Sequence, residues 1–287
     1  MRYGLPYKGS KNALAERLVS LLPPAETLID LFAGGCSITH RALLTRKYRR
    51  VIANDLDPMP ITLFRDAING KYRNETEWIS REKFFERKDT DPYVALCWSF
   101  SNNGRDYLYS REIEPWKRAL HYARVFGDRS LLQEFGINYS DGSRRDIMEN
   151  YGYYRRKYIE WYGANVTIGD INHAGELQSL ERLQITNLSY DQVAIHADSV
   201  IYCDPPYKGT NKYNVGDFNH EAFYDWCCKQ TVPVFISEYQ MPADRFKCVA
   251  EFKHIMRVNK KGNKPITERL FAPINQPNNI PQQLKLF

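Results

Sequence analysis

The sequence predicts an α/β protein whose core is a parallel, doubly wound sheet. Short apolar segments at residues 27–32, 50–55 and 200–203 have the composition of buried strands, and each contains or runs into an acid. A glycine-rich turn and a helix-forming stretch separate the first two segments, which is the opening pattern of a parallel sheet. Residues 63–165 interrupt this alternation, so we predict one sheet domain with an insertion.

The elements follow from local patterns along the chain. Leucines at helical spacing predict a first helix, with Ser10 as its N-cap and Pro23-Pro24 as its end. Ala33-Gly34-Gly35 then predict a turn, followed by a second helix over residues 37–45. The strands predicted in the sheet domain are residues 27–32, 50–55, 183–186, 200–203 and 232–237.

Composition indicates a folded protein without a metal. The chain has 287 residues, of which 43% are hydrophobic, and this is enough for a core. The net charge of +6 mildly favours an anionic partner. The six cysteines form no CxxC pair and no zinc-like spacing with histidine, so we expect mostly buried, reduced thiols. We find no leader sequence and no membrane-spanning run, and we expect a soluble, intracellular protein.

The stretch Asp204-Pro205-Pro206-Tyr207 follows the apolar run 200–203. Ligands of doubly wound sheets bind beyond the carboxyl ends of the strands, so Asp204 should lie at the rim of a cleft. The prolines have no N–H, and the loop therefore presents carbonyl acceptors and one carboxylate beside the flat ring of Tyr207. This combination suits a planar ligand with an amino group, such as adenine or cytosine. The alternative is that Asp204 caps a helix and the prolines only end the strand.

A second motif joins the glycine-rich segment 30–37 to Asp55. Glycines after the first strand let the chain turn and let a ligand approach the backbone. Asp55 ends the second strand about 20 residues later, where an acid accepts the ribose hydroxyls of a nucleoside. The chain has no GxxxxGK[ST] phosphate loop. The motif therefore predicts a nucleoside cofactor rather than a nucleoside triphosphate.

Taken together, these motifs resemble the Dam-type adenine-N6 DNA methyltransferases. In order they are Tyr7-Lys8-Gly9-Ser10-Lys11, DLFAGGCS at 30–37, AND at 53–55 and DPPY at 204–207. The order of cofactor motifs, insertion and catalytic motif also matches that family. One departure is Cys36, which stands where the FxGxG pattern of the family has glycine.

The resemblance implies a Rossmann-like, S-adenosylmethionine-dependent methyltransferase fold. Residues 1–62 and 166–273 would form the methyltransferase domain, 63–165 a mainly helical target-recognition insertion, and 274–287 a flexible tail. The implied cofactor is S-adenosylmethionine, the partner is double-stranded DNA, and the target is a flipped-out adenine. The enzyme would then work in the cytoplasm of a bacterium or a phage-infected cell, associated with the nucleoid through DNA.

The resemblance also assigns residues to both parts of the site. The implied cofactor-binding residues are Tyr7, Lys11, Asp30, Phe32, Ala33, Gly34, Gly35, Cys36, Ser37, Asp55 and Asp204. The implied catalytic residues are Asp204, Pro205, Pro206 and Tyr207. Asp204 and the Pro205 carbonyl would accept hydrogen bonds from the adenine amino group, and Tyr207 would stack on the base.

Candidate DNA contacts lie in the insertion and in a polar segment, 208–219, that we expect to be a mobile lid. They are Asn103, Gly104, Arg105, Arg111, Arg144, Arg145, Lys208, Lys212 and Tyr213. Residues 101–165 contain 11 Lys or Arg against 9 Asp or Glu, so charge alone does not mark a DNA-binding face. The basic, aromatic stretch 151–162 is equally compatible with an ordinary amphipathic helix.

Residues 283–287 resemble the peptide by which bacterial enzymes dock on the replication sliding clamp. Gln283 would hydrogen-bond at the rim of an apolar groove, and Leu284, Leu286 and Phe287 would fill it. The alternative is that these apolar residues fold back on the surface of the protein itself.

Other functions stay open from the sequence. The cytosine amino group and adenine in RNA present an NH2 to the same acceptors, and a catalytically inactive DNA-binding relative would keep the fold. Against an inactive relative stand the intact DPPY motif, Asp55 and the glycines. A protein-glutamine methyltransferase is disfavoured, because that chemistry usually places Asn, not Asp204, before the two prolines.

Overall fold

The protein is described from a computed structural model, in residues 3–7, 9–135, 180–207, 218–258 and 262–276. The chain divides into two compact units. The sheet unit comprises Met1–Gly4, Gly9–Ile61 and Leu177–Phe287, and the helical unit comprises Leu5–Lys8 and Thr62–Glu176. The functional boundaries predicted at residues 62 and 166 stay predictions. Several predicted binding residues lie outside the described residues: Arg144, Arg145, Lys208, Lys212, Tyr213, Gln283, Leu284, Leu286 and Phe287, together with the stretch 151–162.

The sheet unit contains seven paired strands. They are β1 Ala25–Asp30, β2 Tyr48–Asn54, β3 Leu183–Thr186, β4 Ser199–Cys203, β5 Val234–Glu238, β6 Phe246–Val258 and β7 Gly262–Pro273. Their order across the sheet is β3-β2-β1-β4-β5-β7-β6. Strands β1 to β5 pair in parallel, whereas β7 pairs antiparallel with both β5 and β6. The predicted α/β class and the parallel pairing of the predicted strands are therefore confirmed, while β6 and β7 make the sheet as a whole mixed.

Helices account for most of the remaining regular structure in the described ranges. The sheet unit has α1 Ala15–Leu21, α2 Ser37–Leu43, the start of α3 Pro58–Ile68 and, late in the chain, α8 His220–Lys229. The helical unit has the rest of α3 and then α4 Arg81–Arg87, α5 Pro92–Cys97, α6 Glu114–Val125 and α7 Ser130–Gln133. No helix in the described parts of the chain is both long and apolar enough to span a membrane.

Buried apolar strands hold the sheet unit together. Ile29 of β1, Ile201 of β4 and Ile236 of β5 are fully buried and belong to one core cluster with Phe223 of α8. Strands of a parallel sheet are covered on both faces, and for this reason they are continuous apolar runs in the sequence. The described cysteines are all free thiols: Cys36, Cys97, Cys203 and Cys227 are buried, Cys228 is half-buried and Cys248 is exposed. The prediction that most of the cysteines are buried is confirmed, and their reduced state stays a prediction.

The helical unit has an aromatic core of its own. Trp78 packs edge-on against Trp98, with ring centroids 5.2 Å apart, and stacks on Tyr109 at 5.7 Å. The hydroxyl of Tyr107 donates to the carbonyl of Ile79 at 2.6 Å. In this part of the insertion the tyrosines and tryptophans of the sequence therefore build a core.

One local prediction is wrong, and two strands are missed. Ser10 does not cap the first helix: the amides of Leu14 and Ala15 both bond to the Lys11 carbonyl, so a turn precedes the helix, which begins at Ala15. The Ser10 hydroxyl instead lies 2.8 Å from that of Ser37. The strands β6 and β7 are not predicted either, because charged and apolar residues are mixed along them without a continuous apolar run.

Candidate active site

Strand register brings three acids to one edge of the sheet. Asp30, at the end of β1, is level with Ala53 of β2 and Tyr202 of β4. Asp55 and Asp204 lie two residues beyond those partners, so both follow the carboxyl ends of their strands. This is the edge at which doubly wound sheets bind ligands, and it is where the sequence places the site.

The glycine-rich turn after β1 is fixed by backbone hydrogen bonds and by Asp55. The Ala33 amide donates to the Asn54 carbonyl at 2.8 Å, which ties the turn to β2. The Gly34 amide donates to Asp55 Oδ2 at 2.7 Å, and Asp55 Oδ1 accepts from the Asp57 amide at 2.9 Å. Burial raises the pKa of Asp55 to about 6. Asp55 thus orients the turn through both of its carboxylate oxygens.

Gly4 packs directly on this turn. Its φ is +70°, and a Cβ there would lie 2.2 Å from the Gly35 carbonyl oxygen and 2.6 Å from the Ser37 nitrogen. The Gly4 amide donates to His40 Nδ1 at 2.9 Å, and the Ser37 hydroxyl donates to the Tyr3 carbonyl at 3.0 Å. Only glycine fits this close approach. The sequence does not predict this role, although Gly4 lies next to the predicted N-terminal motif.

Cys36 occupies a glycine-like conformation. Its φ is +59° and its ψ is +31°, which is the left-handed region that side chains disfavour by about 1–2 kcal/mol. The side chain is fully buried, with Sγ 3.7 Å from the Gly34 carbonyl oxygen. Burial raises the pKa of the Cys36 thiol well above its usual value. The departure from the glycine of the family pattern therefore keeps the glycine backbone and adds a buried, neutral thiol.

Asp30 is a buried carboxyl with one oxygen that lacks a hydrogen-bond partner among the described residues. Its Oδ2 accepts from the amide of Thr39 at 3.1 Å and from the hydroxyl of Thr39 at 2.7 Å. Its Oδ1 is buried and has no hydrogen-bond partner among the described residues. Burial raises the pKa of Asp30 to about 7. A buried acceptor without a partner costs about 1–3 kcal/mol, so it fits a ligand that supplies a donor.

Asp204 belongs to a charged network with Lys11 and Glu268. Lys11 Nζ lies 2.8 Å from Asp204 Oδ2 and 3.4 Å from Glu268 Oε1. The hydroxyl of Tyr207 donates to the same Glu268 oxygen at 3.0 Å. The second oxygen of Asp204, Oδ1, is buried without a hydrogen-bond partner among the described residues. Glu268 comes from β7, and no sequence motif predicts it.

The network sets the charge of each member. Burial raises the pKa of Asp204 to about 6, Lys11 opposes this rise, and Glu268 adds to it. Burial by itself would lower the pKa of Lys11, but the two carboxylates outweigh this effect and keep the pKa above its usual value. Burial also raises the pKa of Tyr207 far above its usual value, so the phenol stays a neutral donor.

The ring of Tyr207 lies between charged and aromatic neighbours. Tyr239 packs edge-on against it, with ring centroids 4.7 Å apart, and Lys11 Nζ lies 4.9 Å from the Tyr207 centroid. Pro205 is buried and Pro206 is half-buried. The DPPY loop is therefore held by side-chain contacts at its first and last residues.

A cluster of four aromatic rings packs beside the glycine-rich turn. Phe32 is half-buried and stacks with Tyr190 at a centroid distance of 5.9 Å. Phe218 and Phe223 meet Phe32 edge-on at 5.7 Å and 5.5 Å. Of these rings the sequence assigns only Phe32 to the site. Tyr190 and Phe218 come from segments without a recognisable motif.

The predicted binding residues of the helical unit form a hydrogen-bonded loop. Asn103 Oδ1 accepts from the amides of Arg105 at 2.8 Å and Asp106 at 3.0 Å, and the Gly104 amide donates to the Ser99 hydroxyl at 2.9 Å. Gly104 has a φ of +67°. The side chains of Arg105 and Arg111 are exposed, and Tyr7, also in this unit, is half-buried. Their roles in binding DNA or cofactor stay predictions.

Within the described ranges, no group of three or more His, Cys, Asp or Glu side chains is arranged to hold a metal ion. The titratable groups of the site are the buried Asp30, the half-buried Asp55 and Asp204, one lysine and the buried Glu268. Such a set can bind a cationic ligand and accept hydrogen bonds from an amino group.

A glycine-rich turn, an acid after the second strand and a DPPY loop on one edge of a doubly wound sheet are typical of methyltransferases that modify amino groups of bases. Comparison with known proteins agrees. The family model of D12 class N6 adenine-specific DNA methyltransferases matches residues 7–230, and the chain belongs to that family.

Individual relatives were also found. The chain is 26% identical over 227 residues to the Retron Ec67 DNA adenine methylase of Escherichia coli, covering 77% of this chain and 69% of that protein. A crystal structure described as that of a methylase from Haemophilus influenzae aligns over 93% of this chain and 90% of its own, at 12% identity and a TM-score of 0.33. That TM-score is too low to support an argument.

Proposed function

We propose that the protein transfers a methyl group from S-adenosylmethionine to the N6 amino group of an adenine flipped out of double-stranded DNA, at specific sites. The observation that carries this proposal is the buried, unpartnered Oδ1 of Asp204 in the DPPY loop. An exocyclic amino group supplies the donor that this oxygen lacks. Family membership supports adenine and DNA over cytosine or RNA.

The residues around the glycine-rich turn fit the cofactor. S-adenosylmethionine is a sulfonium cation with a free ammonium group, and it supplies the methyl group when bound. Asp30, Asp55 and Asp204 lie at one edge with pKa values raised to about 7, 6 and 6, so a cation there would stabilise their ionised forms. The unpartnered Oδ1 of Asp30 can accept from an ammonium group, and Asp55 can accept from ribose hydroxyls.

The other residues predicted to bind the cofactor are those of the glycine-rich turn, together with Lys11 and Tyr7. Phe32, Ala33, Gly34, Gly35, Cys36 and Ser37 form the turn against which the cofactor would lie. Lys11 forms ion pairs with Asp204 and Glu268. We therefore assign Lys11 to positioning the catalytic carboxylate, while Tyr7 stays a predicted cofactor contact.

In this proposal Asp204 activates the amino nitrogen. The lone pair of an aromatic amine is shared with the ring, and two hydrogen-bond acceptors, Asp204 Oδ1 and the Pro205 carbonyl, favour a pyramidal nitrogen whose lone pair is free. Lys11 holds Oδ2, which leaves Oδ1 for the substrate. Tyr207 offers its ring to the base.

The same carboxylate can take the proton that the nitrogen must lose after transfer. Its pKa of about 6 makes Asp204 a stronger base than an exposed carboxylate, and from Asp204 the proton can pass to water. Because the acceptor is buried, a base in a duplex must leave the stack to reach it. Positioning and electrostatics supply the rate enhancement in this account.

The proposal is tested by identifying the product. The protein is incubated with S-adenosylmethionine and unmethylated DNA, the DNA is digested to nucleosides, and mass spectrometry identifies the modified base. We expect N6-methyladenine. N4-methylcytosine, or a product on RNA alone, would contradict the proposal.

A matched pair of variants assigns the chemistry to the edge of the sheet. Asp204→Ala should abolish transfer and spare folding. Asp198→Ala removes an exposed acid from the amino end of the same strand, β4, and should leave transfer unchanged. Near wild-type turnover of Asp204→Ala would overturn the assignment.

Binding of the bacterial sliding clamp is a separate prediction. It rests on the sequence of residues 283–287 alone, which lie outside the described ranges. Deletion of these residues should abolish clamp pull-down and leave methylation of short duplexes intact. A lower melting temperature of the truncated protein, with pull-down retained, would show that the segment packs on its own chain.

A further inference from the structure

Tyr239 is an aromatic residue of the sheet edge that has no role in the chemistry proposed above. It directly follows β5, which ends at Glu238, and its side chain is half-buried. Strand β5 pairs in parallel with β4, with Ile236 level with Cys203. Both strands therefore end at the ligand-binding edge, and the segments that follow them leave the sheet side by side. For this reason Tyr239 meets Tyr207 of the DPPY loop.

The rings of Tyr239 and Tyr207 are in direct contact and nearly perpendicular. Their centroids are 4.7 Å apart, and the angle between the ring planes is 84°. This is the edge-to-face arrangement that the charge distribution of aromatic rings favours. Because both side chains are only half-buried, part of each stays exposed. The Tyr207 ring therefore keeps exposed surface for a ligand, but it does not change its tilt without moving Tyr239.

Two further contacts of Tyr207 hold the position of its ring rather than its tilt. Its hydroxyl donates to Glu268 Oε1 at 3.0 Å. That bond does not prevent rotation about χ2, because the phenol oxygen lies on the rotation axis. The Lys11 ammonium, 4.9 Å from the ring centroid, is a compact group on a flexible side chain and restrains the ring less than a packed ring does. Tyr239 thus sets the ring plane that the hydroxyl contact leaves free.

The backbone of Tyr239 is itself held by hydrogen bonds. Its amide donates to Oε1 of the buried Glu238 at 2.7 Å, and its carbonyl accepts from Arg269 Nη1 at 2.7 Å. Arg269 follows Glu268, the acceptor of the Tyr207 hydroxyl, along β7. Two consecutive residues of β7 therefore support the two tyrosines, one through its backbone and the other through its hydroxyl. A ring supported in this way is suited to hold a neighbouring ring in one orientation.

We propose that Tyr239 is a positioning residue for the target base, because it holds the Tyr207 ring in the plane in which that ring stacks on the flipped-out adenine. The inference rests on the proposed function and adds a residue outside the region matched by the family model, which ends at residue 230. A tilted base carries its amino group out of line with the methyl donor, and small displacements cost much of the rate of a positioned reaction. Tyr239 acts through Tyr207 alone.

The first test compares Tyr239→Leu with Tyr239→Phe in methylation and in duplex binding. Leucine removes the ring, so kcat should fall about tenfold while the Kd for duplex DNA stays within about twofold of the wild type. Phenylalanine keeps the ring and should retain the wild-type kcat. Tyr48→Leu is the control, because Tyr48 is buried at the amino end of β2. It should lower the melting temperature more than Tyr239→Leu does and leave kcat unchanged.

A double-mutant cycle decides whether Tyr239 acts through Tyr207. Tyr207→Leu alone should lower kcat by about a hundredfold, and Y207L/Y239L should be no slower, since residues that act as a unit are not additive. If Tyr239→Leu is unstable, Tyr239→Met takes its place in the cycle. Losses that multiply in the double variant would overturn the proposal. A wild-type kcat in Tyr239→Leu, or an equal loss in Tyr239→Phe, would overturn it as well.

A fluorescence measurement reports on the base itself. The fluorescent base 2-aminopurine replaces the target adenine in a duplex that carries the methylated site; its emission rises when it leaves the base stack and falls when it stacks on another ring. The complex with Tyr239→Leu should be brighter than the wild-type complex, and the complex with Tyr239→Phe should match it. Equal emission from all three complexes would contradict the proposal. Failure of the proposed function appears differently, as wild-type protein that makes no N6-methyladenine, and this inference would fall with it.

Discussion

Two parts of the same sheet edge are built by different means. The glycine-rich turn is held by backbone amides: Gly34 donates to Asp55, and Gly4 lies where a Cβ would be 2.2 Å from the Gly35 oxygen. The catalytic loop is held by charge, through Lys11 between Asp204 and Glu268. We therefore expect an added side chain at the turn to lower the stability of the protein. We expect a change of charge or pH at the catalytic loop to alter its activity.

The largest effect on stability is expected at Gly4. Gly4→Ala adds a Cβ in contact with backbone, and it should lower the free energy of unfolding by about 3 kcal/mol or more. Gly127→Ala is a matched control, because Gly127 also has a φ of +70° but no described atom within 4 Å of its Cβ position. The control should lose only about 1 kcal/mol. Equal losses in urea unfolding would contradict close packing at Gly4.

Removing Lys11 should affect the catalytic loop and spare the turn. Lys11→Met leaves Asp204 and Glu268 without their shared cation, and we expect about a hundredfold lower kcat from a misplaced carboxylate. Because Lys11 lowers the pKa of Asp204, the acidic limb of kcat/KM should move to higher pH in the variant. Lys47→Met, which removes a lysine bound to the carbonyls of Val19 and Ser20, should leave both quantities unchanged.

Changing Glu268 should shift the acidic limb of the kcat/KM profile in the opposite direction, to lower pH. Asp204 accepts hydrogen bonds when ionised, so kcat/KM of the wild type should fall as pH drops through about 6. Glu268 raises the pKa of Asp204, and Glu268→Gln should shift the limb to lower pH, with a loss of kcat of about tenfold. Glu251→Gln, on the neighbouring strand, is the control. A limb that stays in place would show that Glu268 acts only in folding.

The smallest effect is expected at Cys36. Cys36→Ala loses the buried sulfur and keeps the strained φ, whereas Cys36→Gly loses the sulfur and relieves the strain. The glycine variant should therefore be more stable than the alanine variant by about 1 kcal/mol, the reverse of the usual order. Thermal unfolding of both variants measures this difference, and an alanine variant of equal or higher stability would contradict the strain.

Local patterns explain what the sequence could predict. The parallel strands are apolar runs because both faces of the sheet are covered, and the acids follow because strands end at the ligand-binding edge. Strand register then places Asp30, Asp55 and Asp204 together, as the motifs suggest.

Long-range contacts explain which features of the structure could not be predicted from the sequence. Glu268 bonds to Tyr207 across 61 residues from a strand with no apolar run, and Gly4 matters only because the turn approaches it closely. Ser10 has the composition of a helix cap, but its hydroxyl pairs with Ser37, 27 residues away. None of these contacts has a local signature. The strands β6 and β7 likewise have a mixed composition, which gives no continuous apolar run by which to predict them.

The most direct test of the account is the rate of a single turnover by Asp204→Asn, with enzyme saturated by S-adenosylmethionine and duplex DNA. Asparagine keeps the size of the side chain and removes the charge that Lys11 holds in place. The account predicts a rate lower by about a hundredfold to a thousandfold at these saturating concentrations, with a melting temperature and a DNA affinity close to those of the wild type. A rate close to that of the wild type would contradict the role of Asp204 as the acceptor for the amino group.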